Sequence, residues 1–96
     1  MMIPARLIDV VSNLSSQDSE LMIYATKPWT GDSLAVVARE PDDGGVPPEA
    51  AFLGAEYFIE VFVAEEFLQD WIATSPEPRS DVDRCERLIQ YAINDA

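Results

Sequence analysis

The chain has 96 residues, 48% of them apolar, and carries 18 acidic against 6 basic side chains, for a net charge of -12. This length predicts one domain over residues 1–96 with a modest hydrophobic core, and the apolar content argues against disorder. The negative charge opposes binding to nucleic acid or to an anionic membrane, and it favours a basic protein partner. Acidity that only maintains solubility is the alternative interpretation.

Cysteine usage and apolar runs indicate the compartment. A single cysteine cannot form an internal disulfide, so the chain needs no oxidising environment. It contains no apolar run of about 18 residues, the length that a membrane-spanning helix requires. Residues 1–11 place Asp9 inside an apolar stretch without a cleavage-site pattern, which predicts part of the fold rather than a signal peptide. We therefore expect a cytoplasmic protein.

The first third of the chain predicts a helix followed by a hairpin. Residues 3–15 have a helical apolar stripe, and Pro4 suits the first helical position because its missing N–H would be unpaired there. Residues 20–26 and 34–40 alternate as strands do, and the short loop between them predicts an antiparallel hairpin. Trp29 in that loop is expected either to pack over the sheet edge or to form an exposed contact.

The middle of the chain predicts a loop, a strand and a helix. Residues 40–55 are rich in proline and glycine and predict a loop with one helical turn at residues 48–53. Residues 56–62 alternate as a third strand. The alternation puts Tyr57, Ile59 and Val61 on one face and Glu56, Phe58, Glu60 and Phe62 on the other. After Val63 the period becomes helical, with an apolar face that includes Phe67 and Trp71 and an opposite face of Glu65, Glu66, Gln69 and Asp70.

The C-terminal segment predicts the last helix. Prolines in residues 75–78 end the preceding helix, and Ser80 followed by Asp83 resembles a capping box. Cys85 lies on the apolar face of this helix and is expected to be a buried structural cysteine. The elements follow the order α-β-β-β-α-α. We predict an α+β fold, a three-stranded antiparallel sheet with three helices on one face.

Residues that commonly carry catalysis are scarce. The chain has no histidine and no glycine-rich phosphate loop, and residues 42–44 lack the ligand spacing of a calcium loop. Glu56 and Glu60, predicted on one strand face, could form a carboxylate pair, and a carboxylate-only magnesium site is a further alternative. We nevertheless predict that the protein is not an enzyme and has no cofactor and no metal site.

Acidic residues dominate the middle of the chain. Residues 40–78 hold ten Asp or Glu and no Lys or Arg. Glu66 and Asp70 lie four apart on the predicted helix, a like-charge pair that costs a few tenths of a kcal/mol. Unrelieved repulsion of this kind indicates that the charge serves association with a cationic partner, and a solvated face without a partner is the alternative.

Three segments resemble a known group of proteins. They are residues 24–29 (YATKPW), 58–65 (FIEVFVAE) and 85–96 (CERLIQYAINDA), and the match extends over most of the chain. The chain resembles the small, acidic bacterial immunity proteins that accompany polymorphic and contact-dependent growth-inhibition toxins. The resemblance implies a protein that binds and blocks the C-terminal nuclease domain of a cognate toxin, often an RNase acting on tRNA. It assigns no individual functional residue.

The charge pattern and the resemblance lead to the same hypothesis. We expect a toxin inhibitor that is a monomer or a weak dimer and covers the basic cleft of a nuclease, without binding nucleic acid or a membrane. An acidic regulatory or adaptor domain that binds another protein is the alternative. The residues expected to contact the toxin are Glu60, Glu65, Glu66 and Asp70, with Asp42 and Asp43 in the long loop and Trp29 as an aromatic anchor.

Overall fold

A computed structural model describes residues 5–74 and 80–95 of the protein. Over these residues the fold is α+β, with a four-stranded antiparallel sheet and four α-helices. The strands are β1 (Ala5–Arg6), β2 (Met22–Ala25), β3 (Leu34–Ala38) and β4 (Glu56–Glu60), in the spatial order β1-β3-β2-β4. The helices are α1 (Leu7–Ser12), α2 (Pro48–Leu53), α3 (Val61–Thr74) and α4 (Asp81–Asp95), and a 3₁₀ turn at Leu14–Ser16 follows α1.

The predicted three-stranded sheet with three helices in the order α-β-β-β-α-α is therefore wrong. At the beginning of the described chain, residues 5–6 are extended and pair with β3. The backbone N–H of Leu7 donates to the carbonyl of Ser33 at 2.8 Å, which holds the chain against the hairpin as far as the first helical residue. The first helix thus begins at Leu7 and not at residue 3, and Pro4 lies outside the described residues.

The helix α2 is the second element that the predicted order did not include. The single helical turn predicted at residues 48–53 is a six-residue helix. Pro48 begins it, and Gly54 ends it in the left-handed conformation at φ 73°. A proline at the beginning and a glycine just past the end are the preferred arrangement, because the first needs no N–H donor and the second has no Cβ to strain.

A β-bulge in β4 overturns the predicted alternation of that strand. Ile23 pairs with Ile59 and Tyr24 pairs with Tyr57, so Phe58 is an extra residue between them. Phe58 and Ile59 consequently both enter the same core, at 3% and 4% exposure. Tyr57 lies on the other side of the strand, with Glu60. The prediction that Phe58 shares a face with Glu60 is wrong.

The same bulge separates the two glutamates that the sequence placed on one face. Glu56 pairs with Ala25, whose side chain belongs to the helix-covered core, whereas Glu60 pairs with Met22 on the opposite side. Directly paired residues of antiparallel strands project to the same side of a sheet. The carboxylate pair suggested by the sequence is therefore not formed.

Two local predictions are confirmed. β2 and β3 form an antiparallel hairpin, with Met22 opposite Ala38. At the beginning of α4, the Asp83 N–H donates to Ser80 Oγ at 3.2 Å, and the Ser80 N–H donates to Asp83 Oδ2 at 3.3 Å. This reciprocal pair is a capping box with aspartate in place of glutamate.

The sheet has two unlike faces. The closed face carries side chains such as Ile23, Ala25 and Ile59, and it is covered by α1, α3 and α4, which contribute Leu7, Leu68 and Leu88 to one continuous core. The open face carries Met22, Tyr24, Val36 and Ala38, and its cover is a smaller cluster with Ala50, Leu53 and Ala55 from α2 and the turn after it. Among helices in residues 5–74 and 80–95, none combines the length and apolar character that a bilayer crossing requires.

Candidate functional site

A cavity of about 300 Å³ lies on the open face. We call it the acidic cavity. Strands β2 and β4 and the loop after β3 form its walls. The side chains and backbone that line it are Met22, Tyr24, Glu40, Gly44, Gly45, Val46, Tyr57 and Glu60. Two carboxylates and two phenols therefore share one small depression.

The loop wall of the acidic cavity is shaped by its own hydrogen bonds. The Gly44 N–H donates to the carbonyl of Pro41 at 2.9 Å, and the Gly45 N–H donates to Asp43 Oδ1 at 3.0 Å. Gly44 has φ 78°, a conformation that glycine adopts without strain. The carboxylate of Asp43 thus helps to fold this loop, which is an Asx-turn role. Asp42 is exposed beside it.

Two tyrosines form the aromatic part of the acidic cavity. The rings of Tyr24 and Tyr57 meet edge to face, with centroids 6.3 Å apart. Tyr24 is 1% exposed, whereas Tyr57 is 46% exposed. The Tyr24 hydroxyl contacts Met22 Sδ at 3.9 Å, and a thioether is a weak acceptor. The inner wall therefore presents a buried hydroxyl whose hydrogen-bonding capacity is largely unused.

The electrostatics of the acidic cavity favour a positive charge. Burial raises the pKa of Tyr24, and the negative charge of Glu40 raises it further. Burial also raises the pKa of Tyr57, and the charges of Glu60 and Glu40 add to that effect. Both phenols are therefore neutral at pH 7; Tyr24 lies in the field of Glu40, and Tyr57 lies in the fields of Glu60 and Glu40. Such a site can bind a cation, but it contains no activated nucleophile.

The predicted site residues on α3 lie on the surface. Glu66 and Asp70 are exposed, and Glu65 is half-buried. These three residues form the α3 acids. Glu60 directly precedes α3, but α3 covers the closed face and contributes no residue to the acidic cavity, so the structure does not bring the α3 acids into that cavity. Glu60 and the loop that contains Asp42 and Asp43 meet at that cavity.

The ion pairs of the described residues do not use these carboxylates. They are Arg6–Asp9 at 3.2 Å, Arg6–Asp32 at 3.4 Å, Lys27–Glu56 at 3.9 Å and Arg84–Asp81 at 3.0 Å. Three of them use acids outside residues 40–78, and the fourth uses Glu56. Within the described residues, the six carboxylates predicted to contact a partner thus have no basic side chain beside them.

Trp29 does not line the acidic cavity, but it lines a neighbouring cavity of about 300 Å³ together with Tyr57 and Glu60. Its Nε1 donates to the carbonyl of Ala25 at 3.2 Å, and its ring meets Phe58 edge to face at 4.9 Å. The Lys27 ammonium lies 5.0 Å from the ring centroid. These contacts confirm the predicted packing role at the edge of the closed face. The structure does not bring Trp29 together with Asp42, so its role as an anchor for a partner stays a prediction.

Cys85 is a free, buried cysteine, as its helical position predicted. Cys85 is 1% exposed, and burial raises the pKa of its thiol to about 11, so the nucleophilic thiolate is disfavoured. In the part of the chain that the structure describes, no three His, Cys, Asp or Glu side chains converge to hold a metal ion.

Of the eight residues that line the acidic cavity, sequence reasoning named only Glu60 as a site residue, and the missed side chains that matter most are Glu40, Tyr24 and Tyr57. The alternation of β2 did place Met22 and Tyr24 on one face. The bulge at Phe58 changes the alternation of β4, so period two does not predict that Tyr57 lies on the side of Glu60. The position of Glu40 depends on how the hairpin pairs with β4. A scan against family models and searches of curated proteins and solved structures found no match to this chain.

Proposed function

We propose that this protein is a bacterial immunity protein that binds a cognate basic nuclease toxin, an RNase or tRNase, and covers its nucleic-acid-binding cleft. It acts in the cytoplasm by steric and electrostatic occlusion, and no covalent bond is made or broken. The resemblance of three sequence segments to immunity proteins of contact-dependent growth-inhibition systems supports this function. The charge distribution supports it independently.

The observation that carries the proposal is that, within residues 5–74 and 80–95, the carboxylates on α3 and around the acidic cavity form no ion pair with a basic side chain. A nuclease must attract a polyanion, so its cleft is basic. Carboxylates that are free of internal partners can form bidentate hydrogen bonds with arginines in such a cleft. A surface of one sign also raises the rate of association with an oppositely charged partner.

Charge reversal on α3 tests the proposal. The triple variant Glu65→Lys, Glu66→Lys, Asp70→Lys is expected to weaken binding to the toxin nuclease domain encoded by the neighbouring gene by at least ~100-fold, because three favourable pairs become repulsive. The salt dependence of association should also become flatter. Binding is measured by calorimetry at several salt concentrations, and inhibition by RNase assay with and without the protein.

A second triple variant with the same change in net charge provides the control. Asp18→Lys, Asp32→Lys and Glu86→Lys reverse three exposed acids outside residues 40–78. Circular dichroism verifies that both triple variants fold. Toxin binding should survive in the control with a smaller loss. Equal binding by the α3 triple variant and the unaltered protein would refute the assignment of this surface, and an equal loss in both triple variants would show that only net charge matters.

A further inference from the structure

We propose that the acidic cavity receives the guanidinium group of one arginine side chain from the basic partner. The proposal deepens the proposed function, on which it rests for the identity of that partner. The cavity's preference for a guanidinium follows from its own residues. Those residues supply carboxylate oxygens, aromatic surface and a buried hydroxyl within about 300 Å³.

The carboxylates provide the charge. Glu40 is exposed and Glu60 is half-buried, and both line the acidic cavity. Neither takes part in an ion pair among residues 5–74 and 80–95. A guanidinium has five N–H donors in a fixed plane, so it can donate to two carboxylates at once. A single arginine would therefore neutralise charge that the fold leaves uncompensated.

The tyrosines provide the shape. Tyr57 is 46% exposed at the mouth and Tyr24 is 1% exposed at the inner wall. Their rings meet edge to face at 76°, and both tyrosines line the cavity, so aromatic surface borders its volume. A planar cation packs on a ring face through the cation–π attraction. The Tyr24 oxygen, whose contact is a sulfur atom at 3.9 Å, can accept one further N–H.

The same features disfavour other cations. A hard divalent metal ion prefers several carboxylate, carbonyl or water oxygens, and among the described residues no three His, Cys, Asp or Glu side chains converge to hold one. The volume is at the lower end of the roughly 300–1,000 Å³ range of small-molecule sites, which suits the head of one side chain better than a larger ligand. A lysine ammonium is a strongly hydrated point charge that cannot stack, so it should bind more weakly than a guanidinium.

A titration without any partner protein tests this assignment. Blocked arginine, N-acetyl-arginine amide, is added to the ¹⁵N-labelled protein, and amide shifts are followed by NMR. We expect saturable shifts concentrated at Gly44, Gly45, Tyr57 and Glu60. Blocked citrulline, which has the same shape without the charge, should give no saturable shift, and blocked lysine should bind more weakly. Absence of a localised shift, or an equal response to citrulline, would overturn the proposal.

Single substitutions identify the groups responsible. Glu60→Gln and Glu40→Gln are each expected to weaken binding of blocked arginine roughly tenfold, as for loss of a hydrogen bond to a charged group. Tyr24→Phe should weaken it less, because a neutral acceptor is lost. Glu49→Gln is the matched control, since it removes one exposed carboxylate on α2 outside the cavity. An equal loss in Glu49→Gln would show a general charge effect and overturn the proposal.

This experiment also separates the two proposals. If blocked arginine binds in the cavity but the nuclease domain is not bound, the proposed function fails and the cavity assignment stands. If the nuclease domain is inhibited but blocked arginine does not bind, the cavity assignment fails and the proposed function stands.

Discussion

The two central strands, β2 and β3, contribute side chains to both the closed and the open face of the sheet, but the two faces have different surroundings. On the closed face, Ile23 and Ala25 lie beneath three helices in a continuous apolar core. On the open face, Tyr24 and Val36 are covered by one short helix and border a cavity that contains two carboxylates. Alternate side chains of one strand thus belong to the main core and to a smaller buried cluster that borders the acidic cavity.

The difference shows how a small domain can separate stability from binding. Apolar burial contributes in proportion to the area removed from water, and the closed face holds most of it. The mouth of the acidic cavity keeps Tyr57 and Glu40 exposed, and these side chains contribute less apolar burial to folding stability. Substitutions on the two faces should therefore have different consequences, and the following predictions test that difference.

Truncation of one leucine on each face should give the largest contrast. Leu88 in α4 is fully buried in the closed-face core, and Leu53 in α2 is partly buried on the open face. Leu88→Ala is expected to lower the free energy of unfolding by about 2–5 kcal/mol, because it leaves a cavity in a packed core. Leu53→Ala should lower the free energy of unfolding by about 1 kcal/mol, because the partly buried Leu53 side chain contributes less buried apolar area than Leu88 does.

Urea unfolding followed by circular dichroism measures both values. The two variants delete the same atoms from a helical leucine, so the chemistry is matched. Equal losses of stability would contradict the comparison and would show that α2 closes its face as firmly as the three helices close theirs.

Several of these features could be predicted from local sequence. The hairpin, the capping box at Ser80 and the helical turn at residues 48–53 depend on turn, cap and proline–glycine signals that act over a few residues. The buried position of Cys85 follows from helical periodicity. Each of these signals is complete within its own segment.

The errors arose where distant segments decide the local structure. Residues 5–6 become a strand because the edge of β3 is available to pair with them. In β4, an apparent period of two is broken by the extra residue Phe58, which brings Phe58 and Ile59 together into the closed-face core. The bulge also moves Tyr57 to the side of Glu60. The acidic cavity therefore depends on a register that no single segment specifies.

Alkaline pH should weaken the fold through Cys85 on the closed face. Burial raises the pKa of its thiol from 9.0 to about 11 in the folded protein. The unfolded chain therefore loses this proton first, and stability that is fully present below pH 9 should fall as the pH rises toward 11. The slope should approach about 1.4 kcal/mol per pH unit between the two pKa values.

The variant Cys85→Ala isolates this contribution. Urea unfolding is measured at pH 7.5, 9 and 10 for both proteins, and the variant should lose less stability over this range. Burial raises the pKa values of Tyr24 and Tyr57 as well, so they add a loss of the same sign at higher pH in both proteins. Parallel curves for the two proteins would contradict a buried neutral thiol.

Substitution of the α3 acids should change the free energy of unfolding least, and whether that free energy rises or falls is the informative result. Asp70 is exposed in the C-terminal half of α3, four residues after Glu66. Asp70→Lys replaces a like-charge pair with an attractive one and also suits the negative end of the helix dipole. We expect the free energy of unfolding to rise by about 0.2–0.5 kcal/mol, with Asp70→Asn intermediate.

Urea unfolding at low salt measures this small gain, and added salt should reduce it because the charges are exposed. The same Asp70→Lys variant should bind the toxin nuclease domain more weakly. Asp70 would then lower folding stability and raise affinity for the partner, whereas Leu88 contributes to folding stability alone. If Asp70→Lys instead destabilises the protein by more than 0.5 kcal/mol, roughly the limit for neutral surface changes, then Asp70 has a structural role and the α3 acids are not a surface kept for binding.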